Sequence, residues 1–347
     1  MRIMVIGLLI LSFLVVPVSG ESFTAPPVPD SVEILVPEQP ETFSEGLATV
    51  LREAAGYLFP ALRTALGSCV GMIAVVLLSA LVGNLPGATA KVTNIVTTVA
   101  VALLLISPSN TLIQLAADTV AKISEYGKLL IPVMAGSLAA QGGVSTSAAL
   151  YAGTVFFDAL LSGMISKLIV PILYIFIWMS VASSATGEEI LSKLVGFVKW
   201  MITWCLKTIL YVFTGYMGIT GVISGTTDAA AMKATKLTIS GMVPVVGGIL
   251  SDASEAVLVS AGLVKSAIGV YGVVVIAALW IQPFIQIGAQ YLMLKMTAGI
   301  CGIFGGKEPV KLIESFSAAM GILLAMTGAV SLILMVSVVC FMRGVAA

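Results

Sequence analysis

Gly241-Met-Val-Pro-Val-Val-Gly-Gly-Ile-Leu-Ser-Asp-Ala-Ser-Glu255 interrupts a long apolar run with a proline, paired glycines and carboxylates. Pro244 removes a backbone donor and biases Val243 away from helix, while Gly247 and Gly248 reach backbone angles that other residues avoid. Ser251 or Asp252 supplies an oxygen to cap a helix restarting after the break, with Glu255 in its favourable first turn. Two readings follow. One is a loop between membrane helices, since loops use the same residue types. The other is a broken helix enclosed by protein or a water-filled cavity, because lipid leaves free amides unsatisfied.

Outward from this stretch the composition sets the class. Of 347 residues, 59% are hydrophobic and 10% are charged, against about 25% charged in soluble domains. The chain is therefore an all-α polytopic integral membrane protein, and the lipid bilayer is its first partner. Seventeen basic and seventeen acidic residues cancel, and no basic run gives a footprint for nucleic acid. There is no histidine, which removes the commonest general base and metal ligand and every Ser-His-Asp or Cys-His arrangement. Cys69, Cys205, Cys301 and Cys340 stand singly in or beside apolar segments, as packing residues do. Gly302-Ile-Phe-Gly-Gly-Lys-Glu308 imitates a phosphate loop but has Cys301 in place of the first glycine and Glu308 in place of the magnesium-binding hydroxyl. The composition thus points to a non-enzyme without metal or cofactor.

In chain order, residues 1–20 have the pattern of a signal peptide, with Arg2, a short apolar run and small residues before Glu21. Residues 21–60 read as an extracytoplasmic proline-rich tether leading into an amphipathic helix with Phe43, Leu47, Val50, Leu51, Ala54 and Leu58 on one stripe. Residues 61–347 form the membrane domain. Residues 65–83 and 92–107 read as a hairpin of spans ended by Pro108. A second stripe, Leu112, Leu115, Ala116, Val120 and Ile123, reads as a helix on the membrane surface. Residues 129–140 are too short to span and lead into Gln141-Gly142-Gly143, which suggests a re-entrant or broken segment, while Lys167 and Pro171 divide residues 148–185 without a normal loop. Gly187-Glu188-Glu189 opens another span, and residues 266–290 and 315–342 supply two more. The expected total is about seven or eight mature transmembrane helices, with broken or re-entrant segments and short amphipathic surface helices.

Three polar or small-residue sets stand out. Asp158 sits inside an apolar segment, where a carboxylate is either functional or an interhelical tie, paired for instance with Lys167 or Lys193. Gln282, Gln286 and Gln290 share one helix face beside Pro283, lining an aqueous path, joining helices or marking a span's exit. Gly218, Gly221 and Gly225 allow close backbone approach of a neighbouring helix.

Asp228, Lys233, Ala234 and Lys236, followed by Val243-Pro-Val-Val-Gly-Gly248, Ser251-Asp252 and Lys265-Ser-Ala-Ile-Gly269, resemble the stage III sporulation protein AE family of endospore-forming Firmicutes. The resemblance covers most of the mature chain, although the outer segment before Ala65 is short and proline-rich and the glutamine face is not diagnostic. It implies a mother-cell protein of the outer forespore membrane, a component of the channel or secretion apparatus that sustains late forespore sigma-factor activity. Implied partners are the other stage III A operon proteins, including the secretion-type ATPase and ring-forming subunits. The forespore engulfment-zipper protein would be an indirect partner and a YidC-type insertase a direct contact, with a homo-oligomer left open. The rival reading is a stand-alone secondary transporter with a broken-helix substrate site and a coupling proton on Asp158.

The signal pattern makes one expectation directly measurable. Mass spectrometry of the membrane-bound protein is expected to find Glu21 as the first residue, and a cysteine placed at Ser31 is expected to label from the extracytoplasmic side. An intact N-terminal segment would contradict this.

Overall fold

A computed structural model describes residues 26–36, 43–83, 90–140, 144–219, 267–304 and 306–344. The regular elements among them are helical: a short 3-10 helix at Asp30–Leu35, then α1 (Phe43–Gly83), α2 (Ala90–Ala140), α3 (Val144–Met164), a π-helical turn (Ile165–Ile169) and α4 (Val170–Thr186). Beyond Gly187 come α5 (Glu189–Ile219), α6 (Ala267–Phe304) and α7 (Lys307–Gly344). The π turn joins α3 to α4 without a break. The described residues therefore contain 6 helices long and apolar enough to cross a membrane.

α7 is the inner helix. Residues 316–335 are buried without interruption, which only a helix apolar on every face and surrounded by others achieves. In the most apolar 18-residue window of α7, 94% of the residues are buried, against 22% in α1 and in α5. α2, α3, α4, α5 and α6 all pack on it. The outer helices carry bands of exposed apolar residues such as Leu78, Leu81, Val96 and Leu103, suited to lipid.

Contacts between helix ends fix the directions. Thr97 hydrogen-bonds Ser79, pairing α1 with α2 in opposite senses, and Gly306 lies against Asn94 near the start of α2. Ser147 Oγ donates to the Ala135 carbonyl at 2.6 Å, and Tyr216 Oη donates to the Ala149 carbonyl at 2.7 Å. Gly269 meets Met342. Hence α1 begins, α5 ends, α6 begins and α7 ends at one end of the bundle, and the turns at Gly187 and Gly306 lie at the other.

Several expected boundaries are overturned. Pro108 does not end a span: α2 runs 51 residues through Pro108 and Pro132, and Pro60 and Pro283 likewise sit inside α1 and α6. A proline inside a helix costs about 3 kcal/mol, but this local cost is offset where a long face is buried. In α2 that face includes Leu105, Ile113, Ala116, Val120, Ile123, Leu130 and Met134. The stripe expected on the membrane surface is thus turned into the bundle. Residues 129–140 are the last turns of α2 rather than a separate re-entrant piece. α1 also unites the expected outer amphipathic helix with the span after it. Val50 and Ala54 are buried, whereas Leu51 and Leu58 of the same stripe are exposed.

Lys167 and Pro171 mark the π turn, where a wider hydrogen-bond register accommodates a proline at the start of α4. The turn after α4 needs its glycine. Gly187 has φ 70° and ψ 14°, a left-handed cap whose N–H donates to the Ser183 carbonyl at 2.9 Å.

The seams around α2 are set by glycines. A Cβ on Gly127 would stand 2.6 Å from Leu334 Cδ1 of α7, and one on Gly272 of α6 would stand 2.6 Å from Leu130 Cδ2 of α2. Gly127→Val is expected to destabilise the bundle by about 1–3 kcal/mol through overpacking. Combined with Leu334→Ala, the loss should fall short of the sum of the two single losses by about 0.5 kcal/mol or more. Thermal unfolding of the detergent-solubilised protein checks this, and simple additivity would count against the seam.

Candidate functional site

The site with the clearest chemistry lies between α2 and α3. Ser124 enters it because it follows Ile123 in the buried stripe of α2, and Asp158 because it follows Phe157 on the inner side of α3. Ser124 Oγ donates to Asp158 Oδ2 at 2.6 Å and lies 3.5 Å from Ser162 Oγ. Asp158 is 5% exposed, and its Oδ1 is buried without a hydrogen-bond partner among the described residues. One turn earlier on α3, Thr154 is 0% exposed and its Oγ1 also has no partner.

Among the described residues Thr98 and Ser183 share this state, but it is not the rule. Thr97, Thr119, Thr203, Thr214, Thr297 and Thr327 each donate to the carbonyl four residues before them, the usual resource of a hydroxyl in an apolar helix. Thr154 does not. Ser166, two turns beyond Asp158, bonds back to the Ser162 carbonyl at 2.9 Å.

Asp158 is not paired with Lys167 or Lys193, as one expectation had it. Lys167 is exposed on the π turn, and Lys193 forms an exposed pair with Glu189 at 3.1 Å, four residues apart along α5. The carboxylate is instead held by a hydroxyl. Ser124 is a residue that the sequence reading did not select, and its only local signal is a polar residue beside an apolar stripe.

On α6, Gln290 is buried at 6% exposure, while Gln282 and Gln286 are half-buried. Ser317 Oγ of α7 donates to the Tyr291 carbonyl at 3.3 Å beside this face. Gly218 is exposed, and a Cβ built there meets nothing within 4 Å. Gly221, Gly225, Pro244, Gly247, Gly248, Ser251 and Asp252 lie outside the described residues. Close approaches appear at glycines not singled out by spacing, including Gly153, which lies against the Tyr216 ring. Among the described residues no group of three or more His, Cys, Asp or Glu is placed to hold a metal. Cys69, Cys301 and Cys340 are buried in the apolar core.

Removing the one donor to a buried carboxylate is costlier than removing both partners. Ser124→Ala is expected to destabilise the protein by about 1–3 kcal/mol, with Ser124→Ala/Asp158→Leu recovering most of that loss. Thermal unfolding of the solubilised variants reads the effect, and a double variant less stable than Ser124→Ala would show that the pair does not act as a unit.

Comparison with known proteins gives the family. The family model described as stage III sporulation protein AE matches residues 37–344. Stage III sporulation protein AE of Bacillus subtilis (strain 168) is 24% identical over 226 residues, which span 65% of this chain and 56% of that relative. No solved structure matches. With a match running from the end of the proline-rich segment to the end of α7, the chain belongs to the stage III sporulation protein AE family.

Proposed function

We propose that this protein is a membrane component of the apparatus linking mother cell and forespore, required for late forespore development and forespore sigma-factor activity. The observation that carries the reading is family membership across residues 37–344. The family description names a stage of sporulation and no reaction. A bundle of 6 long apolar helices suits a multi-pass component of such an assembly.

In this reading the protein sits in the mother-cell-derived outer forespore membrane with residues 21–60 outside the cytoplasm. The end of α7 faces the same side, because α1 begins and α7 ends together. The described residues account for 6 of the expected seven or eight spans. Partners on this reading are the secretion-type ATPase and ring-forming proteins of the stage III A operon and a YidC-type insertase, with the forespore engulfment-zipper protein reached indirectly.

The second reading, a stand-alone secondary transporter, draws on one observation, the buried Asp158 with an unpartnered oxygen. Affinity purification of the full chain from sporulating cells separates the two. An apparatus component is expected to bring the operon's other products with it, and recovery of the chain alone would favour the carrier. Replacing Gly247 and Gly248 together by leucine is expected to leave membrane abundance intact while reducing spore yield and partner recovery. Wild-type behaviour in all three measurements would remove that stretch from the functional centre.

A further inference from the structure

α3 carries an oxygen-bearing residue at every fourth position, Thr154, Asp158 and Ser162, and Ser166 follows on the π turn. Four residues at 3.6 per turn advance the face by about 40° each time, so the row winds slowly around the helix. Burial follows the winding. Thr154 and Asp158 are buried, Ser162 is half-buried and Ser166 is exposed. The carboxylate is thus enclosed, and α2 contributes Ser124 beside it.

The inner end has unspent oxygen chemistry. Asp158 Oδ1 and Thr154 Oγ1 are buried and partnerless, and Ser124 Oγ stands between Asp158 Oδ2 at 2.6 Å and Ser162 Oγ at 3.5 Å. An ionised carboxylate in an apolar bundle needs a compensating positive charge. Among the described residues no lysine or arginine supplies one by ion pairing. Lys128 lies within electrostatic reach, but its side chain is exposed.

We propose that Asp158, Ser124, Ser162 and Thr154 form a binding site for a monovalent alkali cation, sodium, enclosed between α2 and α3. One carboxylate among neutral oxygens carries a single negative charge, which a monovalent ion cancels and a divalent ion overshoots. Hydroxyl and carboxylate oxygens are the ligands that hard cations take. Ser124 Oγ and Asp158 Oδ2 lie only 2.6 Å apart, a spacing that suits the smaller of sodium and potassium. The site does not depend on which proteins the chain assembles with.

The test is thermal unfolding of the purified full chain in lipid nanodiscs, in sodium chloride, potassium chloride or choline chloride at constant ionic strength and pH. Saturating sodium is expected to raise the wild-type midpoint by roughly 4 °C or more over choline, and Asp158→Asn is expected to abolish the rise. Thr154→Val and Ser162→Ala, which keep the carboxylate, are expected to raise the half-saturating sodium concentration about tenfold. They keep the test alive if the asparagine variant does not fold. No difference between sodium and choline in the wild type overturns the proposal, as does a sodium response unchanged in the variants. An equal response to potassium overturns the assignment to sodium, and a response to acid alone assigns the site to a proton instead. Loss of partner co-purification would bear on the proposed function and leave this result untouched.

Discussion

Twenty consecutive buried residues, 316–335 of α7, set the terms for the structure around them. A helix enclosed on all faces has no side on which to place a charge, and between Glu314 and Arg343 α7 has none. Its hydroxyls are satisfied within the protein: Thr327 bonds to the Leu323 carbonyl at 3.0 Å, Ser337 to the Ile333 carbonyl at 2.7 Å, and Ser317 crosses to α6. Lipid attracts leucine about as well as another helix does, so packing and hydrogen bonds rather than exclusion from water must hold such a centre. The glycine seams supply the close packing. Gly127 lets Leu334 lie on the α2 backbone, and Gly272 does the same for Leu130 on α6.

Against this apolar centre the α2–α3 seam is the polar exception. Ser124 and Asp158 tie two helices that also flank α7, and they do so with one short bond and one buried carboxylate oxygen to spare. Elsewhere many hydroxyls bond back to a carbonyl four residues earlier, as Thr214 does to Leu210 at 2.8 Å, although Thr98 and Ser183 do not. Among the described residues Asp158 is the buried carboxylate, which sets it apart from ties made by neutral groups.

Helix content and membrane class were legible in the sequence, because lipid tolerates unbroken helix and the composition left no other solvent for so many apolar residues. The position of α7 was nearly legible, since residues 315–342 read as a clean span. Their central placement was not, because periodicity is silent for a helix apolar all round. The boundary at Pro108 and the separation of residues 129–140 were misread for a definite reason. The proline penalty is local and visible, whereas the burial that offsets it comes from helices far along the chain. Asp158 stood out as a lone carboxylate, yet its partner lies 34 residues away, and the choice of a serine over Lys167 or Lys193 depends on helix pairing. Gly127 and Gly272 escaped notice because a glycine's role in packing depends on what faces it. The stretch from Gly241 to Glu255, with which the reading began, lies outside the described residues.

The inner position of α7 also bears on the order in which the molecule is made. Synthesis runs from the N-terminus, so α1 to α6 enter the bilayer before the helix on which five of them pack has left the ribosome. During that interval Asp158 and the glycine-lined faces of α2 and α6 lack their final surroundings, and each exposed polar group is costly in lipid. Closure of the bundle around α7 is thus a late event that waits for the last helix.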